Sequence, residues 1–330
     1  SIGDVKIAET ELTTNQGFVS YIPSYKLDNN FLYYLISCQL GEYFLNIASG
    51  TTFMEISRKM ASLEYIPLPP LQEQIVIADY LDKACERIDE IIKIKENQIK
   101  QIKLVKKSRI EEAIKFGLKK NISKTKRTDL EYLPEINGNW EIDRFKDVAS
   151  LRNEKTGVKS EVENYLELED LSQGTGEILN KRNTLEVASK TTKFFKGDVL
   201  FGKLRPYLEK FAYADFDGLC TGEILAFEPK RIEPKFLMYI LSSNWFINLC
   251  KSMSYGAKMP RVNWNTQLSK IYLPLPNREE QKEIAKNLDE LSLKSNQLTK
   301  KIKFQIKTLK SLIPECVTGK KQVLKQNQLE

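Results

Sequence analysis

The sequence predicts an α+β protein. Two globular parts of mixed α and β structure, the first of them partial, are separated by two long antiparallel helices that form a coiled-coil pair. Three observations carry this reading. A Pro-rich segment with Glu-Gln occurs twice, and each copy opens a long run of apolar residues spaced three and four apart. The residues before the second copy alternate short apolar runs with Gly and Pro.

The repeat sets the frame. Residues 66–82 read IPLPPLQEQIVIADYLD and residues 273–289 read LPLPNREEQKEIAKNLD, an offset of 207 residues (Ile66 to Leu273) without a gap. Upstream, FLYYLIS from Phe31 matches FLMYILS from Phe236, Gly50 and Ile56 match Gly256 and Val262, and Gly3-Asp4-Val5 matches Gly197-Asp198-Val199. Downstream, Gln98-Ile99-Lys100 matches Gln305-Ile306-Lys307. SRIEEAI from Ser108 then matches SLIPECV from Ser311 at an offset of 203, so the second copy is shorter by about one helical turn. Ordered matches over this length exclude chance. The parts divide at 1–70 (the later portion of a first globular domain), 71–118 (a first long helix), 119–276 (a linker and a second globular domain) and 277–330 (a second long helix and tail). The first copy lacks a counterpart to the opening of the second, so the sequence is expected to be truncated.

Each element follows from its residues. The prolines of Leu-Pro-Leu-Pro fix an extended backbone and delay the helix. Pro70 suits the first helical turn, and Asn277 can N-cap the second helix with Glu280 closing a capping box. The first helix carries a seam of Ala78, Leu81, Cys85, Ile88, Ile92, Ile99, Ile102 and Val105, with Lys95 interrupting. The second carries Ile284, Leu288, Leu291, Leu298, Ile302, Leu309 and Leu312, with Ser295 interrupting. Helices of this length must bury such stripes, and two stripes of similar length predict that they bury each other. In the second globular part, Asp198–Phe201 and Glu223–Phe227 read as strands and 234–251 as a helix after Pro234. The 118–131 stretch, with Lys119, Lys120, Lys124, Lys126 and Arg127, reads as a solvated basic linker.

Composition narrows the chemistry. The chain has no histidine, which removes Ser-His-Asp and Cys-His catalysis and most zinc hydrolysis. Its five cysteines (Cys38, Cys85, Cys220, Cys250, Cys316) form no C-x-x-C pair, so neither a zinc knuckle nor a disulfide framework is expected, and a reducing cytoplasm fits. The net charge of +7 is compatible with a polyanionic partner. No apolar run reaches the length of a membrane span.

These residues resemble the specificity (S) subunits of type I restriction–modification systems. The resemblance rests on IPLPPLQEQ from Ile66, LPLPNREEQ from Leu273, CVTGK from Cys316, GDVLFGKLRPYLEK from Gly197 and FDGLCTGE from Phe216; AIKFG at the end of the first copy is a looser match. It covers almost the whole chain except the missing start of the first domain. The resemblance implies two target-recognition domains, each reading half of a bipartite site in double-stranded DNA, with helices that set the spacing and dock two methyltransferase (M) subunits. It further implies restriction (R) subunits in the complex. S-adenosylmethionine, ATP and Mg are expected on those partner subunits, and this chain is expected to bind no cofactor or metal and to catalyse nothing.

Other classes draw on the same residues. A coiled-coil adaptor with two interaction heads would share the helices. A carboxylate–metal nuclease could use Asp217 with Glu228 and Lys230, but Glu233-Pro234-Lys235 repeats the pattern, as chance allows in a chain rich in Glu and Lys. An amino-methyltransferase is excluded, because Pro69-Pro70 is followed by Leu and no Gly-rich nucleotide loop is present.

A DNA reader needs cations for phosphates and Arg, Asn or Gln for base edges. Two loops of the second domain supply them. One holds Lys203, Arg205, Tyr207 and Lys210; the other, Ser254–Trp264, holds Lys258, Arg261 and Asn263. The matching loop of the first copy holds Thr51, Thr52 and Arg58. Arg205 and Arg261 are the first candidates for base or phosphate contact. The same pattern also fits polar surface loops anchored by a buried Trp or Tyr.

Overall fold

The computed structural model describes residues 4–48, 56–63, 65–118, 124–156, 164–182 and 191–317. They form two compact units, Ser1–Ile99 with Lys300–Glu330 and Lys100–Thr299, so each long helix contributes to both.

In the first unit, residues 4–28 precede helix α1 (Asn29–Leu35), which Asp28 caps by accepting the Phe31 N–H at 2.9 Å. The helix runs through a π-helical turn (Ile36–Leu40) into α2 (Gly41–Ile47). A single turn, α3 (Arg58–Ala61), precedes α4 (Leu71–Phe116). The core joins Leu32, Leu35, Phe44 and Leu81, so α1 and α2 pack on the start of α4.

In the second unit, β1 (Thr125–Arg127) pairs with β2 (Glu135–Asn137). The basic stretch read as a linker is therefore partly a strand, with the Lys126 ammonium on the Trp140 carbonyl; Lys119 and Lys120 lie outside the described residues. After β3 (Glu141–Arg144) and α5 (Phe145–Val148) come β4 (Ala149–Leu151), β5 (Lys155–Thr156), β6 (Tyr165–Leu166), β7 (Thr191–Phe194), β8 (Val199–Gly202), β9 (Phe211–Tyr213), β10 (Gly218–Thr221) and β11 (Ile224–Pro229). They form two four-stranded sheets, β5-β7-β10-β6 and β4-β11-β8-β9. The expected helix at 234–251 is two helices, α6 (Pro234–Ser242) and α7 (Asn244–Met253). Ser243 is extended between them, and its hydroxyl accepts the Phe246 N–H at 3.3 Å. A serine favours that cap over a place inside a helix. β12 (Tyr272–Leu275) pairs with β3 and leads into α8 (Arg278–Val317).

The duplicated motif is a duplicated brace. Gln74 is fully buried; its amide oxygen accepts the Asp28 N–H at 2.8 Å, and its nitrogen donates to the Lys26 and Pro69 carbonyls at 2.9 and 2.8 Å. Gln281 accepts the Glu233 N–H and donates to the Pro276 carbonyl, both at 2.7 Å. About two turns of helix later in each copy, a buried tyrosine of an earlier short helix meets an aspartate of the long helix: Tyr34 Oη to Asp82 at 2.5 Å and Tyr239 Oη to Asp289 at 2.8 Å. The motif thus pins α4 to α1 and α8 to α6. Asn277 accepts the Glu280 N–H at 3.0 Å as expected, while the Glu280 carboxylate takes the Trp140 indole N–H at 3.1 Å.

Along the long helices the seam is more polar than the apolar pattern suggests. Lys95 donates to Gln305 at 2.9 Å in the first unit. In the second, Ile110, Ala113 and Ile114 share a core with Ile284, Ala285 and Leu288. Two expected seam positions are corrected: Val105 is 56% and Leu298 47% exposed, while Lys106 is buried. Burial pushes the Lys106 ammonium below the usual lysine range, against the pull of Glu177.

Candidate nucleic-acid interface

The two loops singled out in the sequence are brought together. β8 and β9 form a hairpin, Val199 opposite Tyr213 and Phe201 opposite Phe211, whose connection is residues 203–210. The later loop folds on itself: Tyr255 and Arg261 exchange backbone hydrogen bonds at 3.1 and 3.0 Å. Gly256 turns it at φ +100°, where an added Cβ would come 3.2 Å from the Met259 carbonyl. The loops then join edge to edge. The Val262 N–H donates to the Lys203 carbonyl at 3.1 Å, and the Arg205 N–H donates to the Pro260 carbonyl at 2.7 Å. The far end is anchored by Trp264, whose ring packs 5.0 Å from Phe145 and 5.1 Å from Phe227.

Each candidate side chain has a definite place. Arg205 is exposed and left-handed (φ 50°), its guanidinium 3.4 Å from the Lys258 carbonyl. Such backbone costs a non-glycine residue about 1–3 kcal/mol and persists where neighbours enforce it. Tyr207, 45% exposed, sits on the short 3₁₀ turn Pro206–Leu208, and Lys258 is exposed on the adjoining loop. Lys203 is half-buried between the bonds to Glu223 and Val262. Lys210 sends its ammonium to the Leu171 carbonyl. Arg261 is held by Glu223, Nε to Oε2 at 3.1 Å and Nη2 to Oε1 at 3.0 Å, with Nη1 on the Met259 carbonyl. That fork raises the Arg261 pKa. The Asn263 side chain accepts the Thr266 N–H at 3.0 Å, a cap repeated by Ser57 with Met60 at 3.2 Å in the first unit. Arg58 is exposed at the start of α3; Thr51 and Thr52 lie outside the described residues. The exposed group is therefore Arg205, Tyr207 and Lys258, whereas Arg261, Asn263 and Lys210 shape the loops.

Sequence reasoning missed Glu223, the latch of Arg261, and Glu209, left-handed at φ 51° and paired with Lys107 of α4 at 2.6 Å. Gly222-Glu223 closes the FDGLCTGE segment, but nothing in its spacing marks the partner. The nuclease candidates are engaged in separate contacts: Glu228 with Lys230 at 2.9 Å, Lys235 with Asp289 at 2.5 Å, and Asp217 accepting the Lys196 N–H at 2.6 Å. Among the described residues no cluster of three or more Cys, Asp or Glu could hold a metal ion. No helix among them is long and apolar enough to cross a membrane.

Comparison with known proteins identifies a family. A family model described as "Type I restriction modification DNA specificity domain" matches residues 1–102 and 137–308. The type I restriction enzyme EcoDI specificity subunit of Escherichia coli is 27% identical over 296 residues, 84% of this chain and 65% of that protein. The MjaVIII specificity subunit of Methanocaldococcus jannaschii is 27% identical over 325 residues, 91% of this chain and 72% of that protein. The chain thus spans just under two thirds of the length of the E. coli relative. A solved structure from work on complex assembly and conformational transition of the type I R-M system shares the fold, with a TM-score of 0.63 at 18% identity over 87% of this chain and 69% of that one.

Proposed function

This chain belongs to the type I restriction modification DNA specificity domain family, and we propose that it reads double-stranded DNA as the specificity subunit of a type I restriction–modification complex. The observation that carries this reading is the joined pair of loops at 203–210 and 254–263. They display Arg205, Tyr207 and Lys258 outward on a backbone braced from behind by the Glu223–Arg261 fork. Exposed cations supply affinity for phosphates, and a rigidly held Arg supplies base discrimination.

In this reading residues 1–70 and 119–276 contain the two recognition domains, each for half of a bipartite site. The helices of 71–118 and 277–330 form a coiled-coil ruler between the halves and dock two M subunits, which R subunits join. Chemistry belongs to those partners, with S-adenosylmethionine, ATP and Mg bound there; the recognition chain is not an enzyme and works in the cytoplasm. The test is to assemble the full chain with a type I methyltransferase subunit and map methylated adenines on genomic DNA. The reading expects one split motif, whose spacer changes when a helical turn is inserted into α4. Methylation with no sequence preference contributed by this chain would refute it.

A further inference from the structure

We propose that Lys107 of α4 and Glu209 are a positioning pair that holds the β8–β9 loop in its DNA-reading conformation. The proposal rests on the reading of that loop as a DNA contact.

The loop is bent at both ends by residues that do not favour the bend. Arg205 and Glu209 flank the turn Pro206–Leu208, and both are left-handed without being glycine. The turn's own hydrogen bonds, Leu208 N–H to the Arg205 carbonyl at 2.8 Å and Glu209 N–H to the Pro206 carbonyl at 2.9 Å, join only neighbours in the chain. A hold from outside the turn acts at each end. At Arg205 it is the Pro260 carbonyl. At Glu209 it is the long helix: the carboxylate meets the Lys107 ammonium at 2.6 Å, with side chains 18% and 37% exposed. A charge-assisted bond in that half-buried setting is stronger than a neutral one.

The surroundings are shaped to this carboxylate. The Glu209 carbonyl accepts the Gly174 N–H at 3.0 Å. Gly174 is itself at φ +70°, and a Cβ there would lie 3.0 Å from Glu209 Oε2. The neighbouring Glu177 accepts from Asn296 of α8 at 3.1 Å, so the 172–177 turn is tied to the second long helix as well. A carboxylate on a loop that meets a polyanion would repel it on charge alone. Its presence here, neutralised by Lys107, is accounted for by the position it gives to Arg205 and Tyr207.

The experiment exposes the full chain to a pool of randomised-sequence duplexes. It reads the enrichment of preferred sequences, the affinity for the unselected pool and the melting midpoint. Glu209→Gln removes a negative charge, so electrostatics alone predicts tighter binding to every duplex. Positioning predicts instead that Glu209→Gln and Lys107→Met each lower enrichment about tenfold, the scale of one well-placed base contact. Affinity of Glu209→Gln for the unselected pool stays equal or rises. The reversed pair, Lys107→Glu with Glu209→Lys, restores both enrichment and melting midpoint. A reversed pair that recovers the midpoint without the enrichment overturns the proposal. Full enrichment in both single variants, with loss in Arg205→Ala, overturns it while leaving the DNA reading intact. Full enrichment in Arg205→Ala sinks that reading and the proposal with it.

Discussion

Replacing Gln281 by Leu removes one brace at nearly constant volume. Gln281 is 1% exposed and makes two bonds of 2.7 Å, one from the Glu233 N–H and one to the Pro276 carbonyl. The Pro276 bond is fully buried, and the Glu233 bond is partly open to water. A buried backbone group left without a partner costs about 1–3 kcal/mol, and one that water can reach costs about 1 or less. Together these predict a loss of about 2–3 kcal/mol, a large share of the roughly 5–15 kcal/mol that holds a domain. Urea unfolding followed by tryptophan fluorescence suits the question. All three tryptophans, Trp140, Trp245 and Trp264, lie in the second unit, and Trp140 bonds the residue before Gln281. With a slope of about 2–3 kcal/mol/M, the midpoint falls by about 1 M at unchanged slope. Gln74→Leu, in the other unit, moves this signal by less than half as much. A midpoint shift below about 0.2 M for Gln281→Leu, or an equal shift from Gln74→Leu, would refute the brace.

Three further outcomes follow from the same contacts. Arg261→Ala and Glu223→Gln each lower the urea midpoint of the second unit, by similar amounts, because either change breaks the same fork. The double variant costs no more than either, and strict additivity in the cycle would contradict the latch. Tyr34 and Tyr239 hold their phenol protons above the usual tyrosine range, by burial first and also by Asp82 and Asp289; burial does the same at Tyr132. Their contribution is whole below about pH 10, the unfolded value, and is lost as pH rises beyond it. Lys106, lowered by burial, acts in the opposite sense, its penalty fading as pH rises toward the unfolded lysine value. Tyr21, raised by burial as well, and the buried thiols of Cys220 and Cys250 act in the same sense as these tyrosines, so Lys106 alone opposes them and stability falls above about pH 10, with the fall shallower in Tyr239→Phe; denaturant midpoints that stay flat to about pH 11 would contradict this. The Cys220 thiol is pushed up to about 12 by burial and Asp198, and burial raises Cys250 also. Thiol reagents at about pH 8 therefore label the half-buried Cys85 in the native chain and reach Cys220 and Cys250 after unfolding; equal native rates would count against the burial.

The parts legible in the sequence are those with local causes. Asn277 caps α8 because its side chain reaches a residue three positions on. Gln74 and Gln281 were visible as a repeat because both copies solve one problem, fixing a helix start against the turn before an earlier helix. The seam was read in outline but misplaced at Val105 and Leu298. Lys106 fits the buried position by its long apolar stem, which a pattern of apolar letters does not register. The 234–251 break went unread because Ser243 differs from a helical serine only by its cap. Composition marks the loops at 203–210 and 254–263 but does not separate their roles. Arg205 and Arg261 look alike as letters. One is exposed on a left-handed backbone, and the other is forked to Glu223, 38 residues away in the chain. Glu209 and Lys107 are 102 residues apart and share no motif.

The most direct test of DNA reading by the joined loops is a contact map. A photo-crosslinking residue is placed singly at 203, 205, 207 and 258, and for comparison at the exposed positions Lys146 and Lys282. Each full-length chain is irradiated with a mixed-sequence duplex. The account predicts crosslinks concentrated at 205, 207 and 258, competed away by unlabelled duplex and weakened by salt. Equal crosslinking at 146 and 282, or none at the loops under conditions where the chain retains DNA, would contradict it.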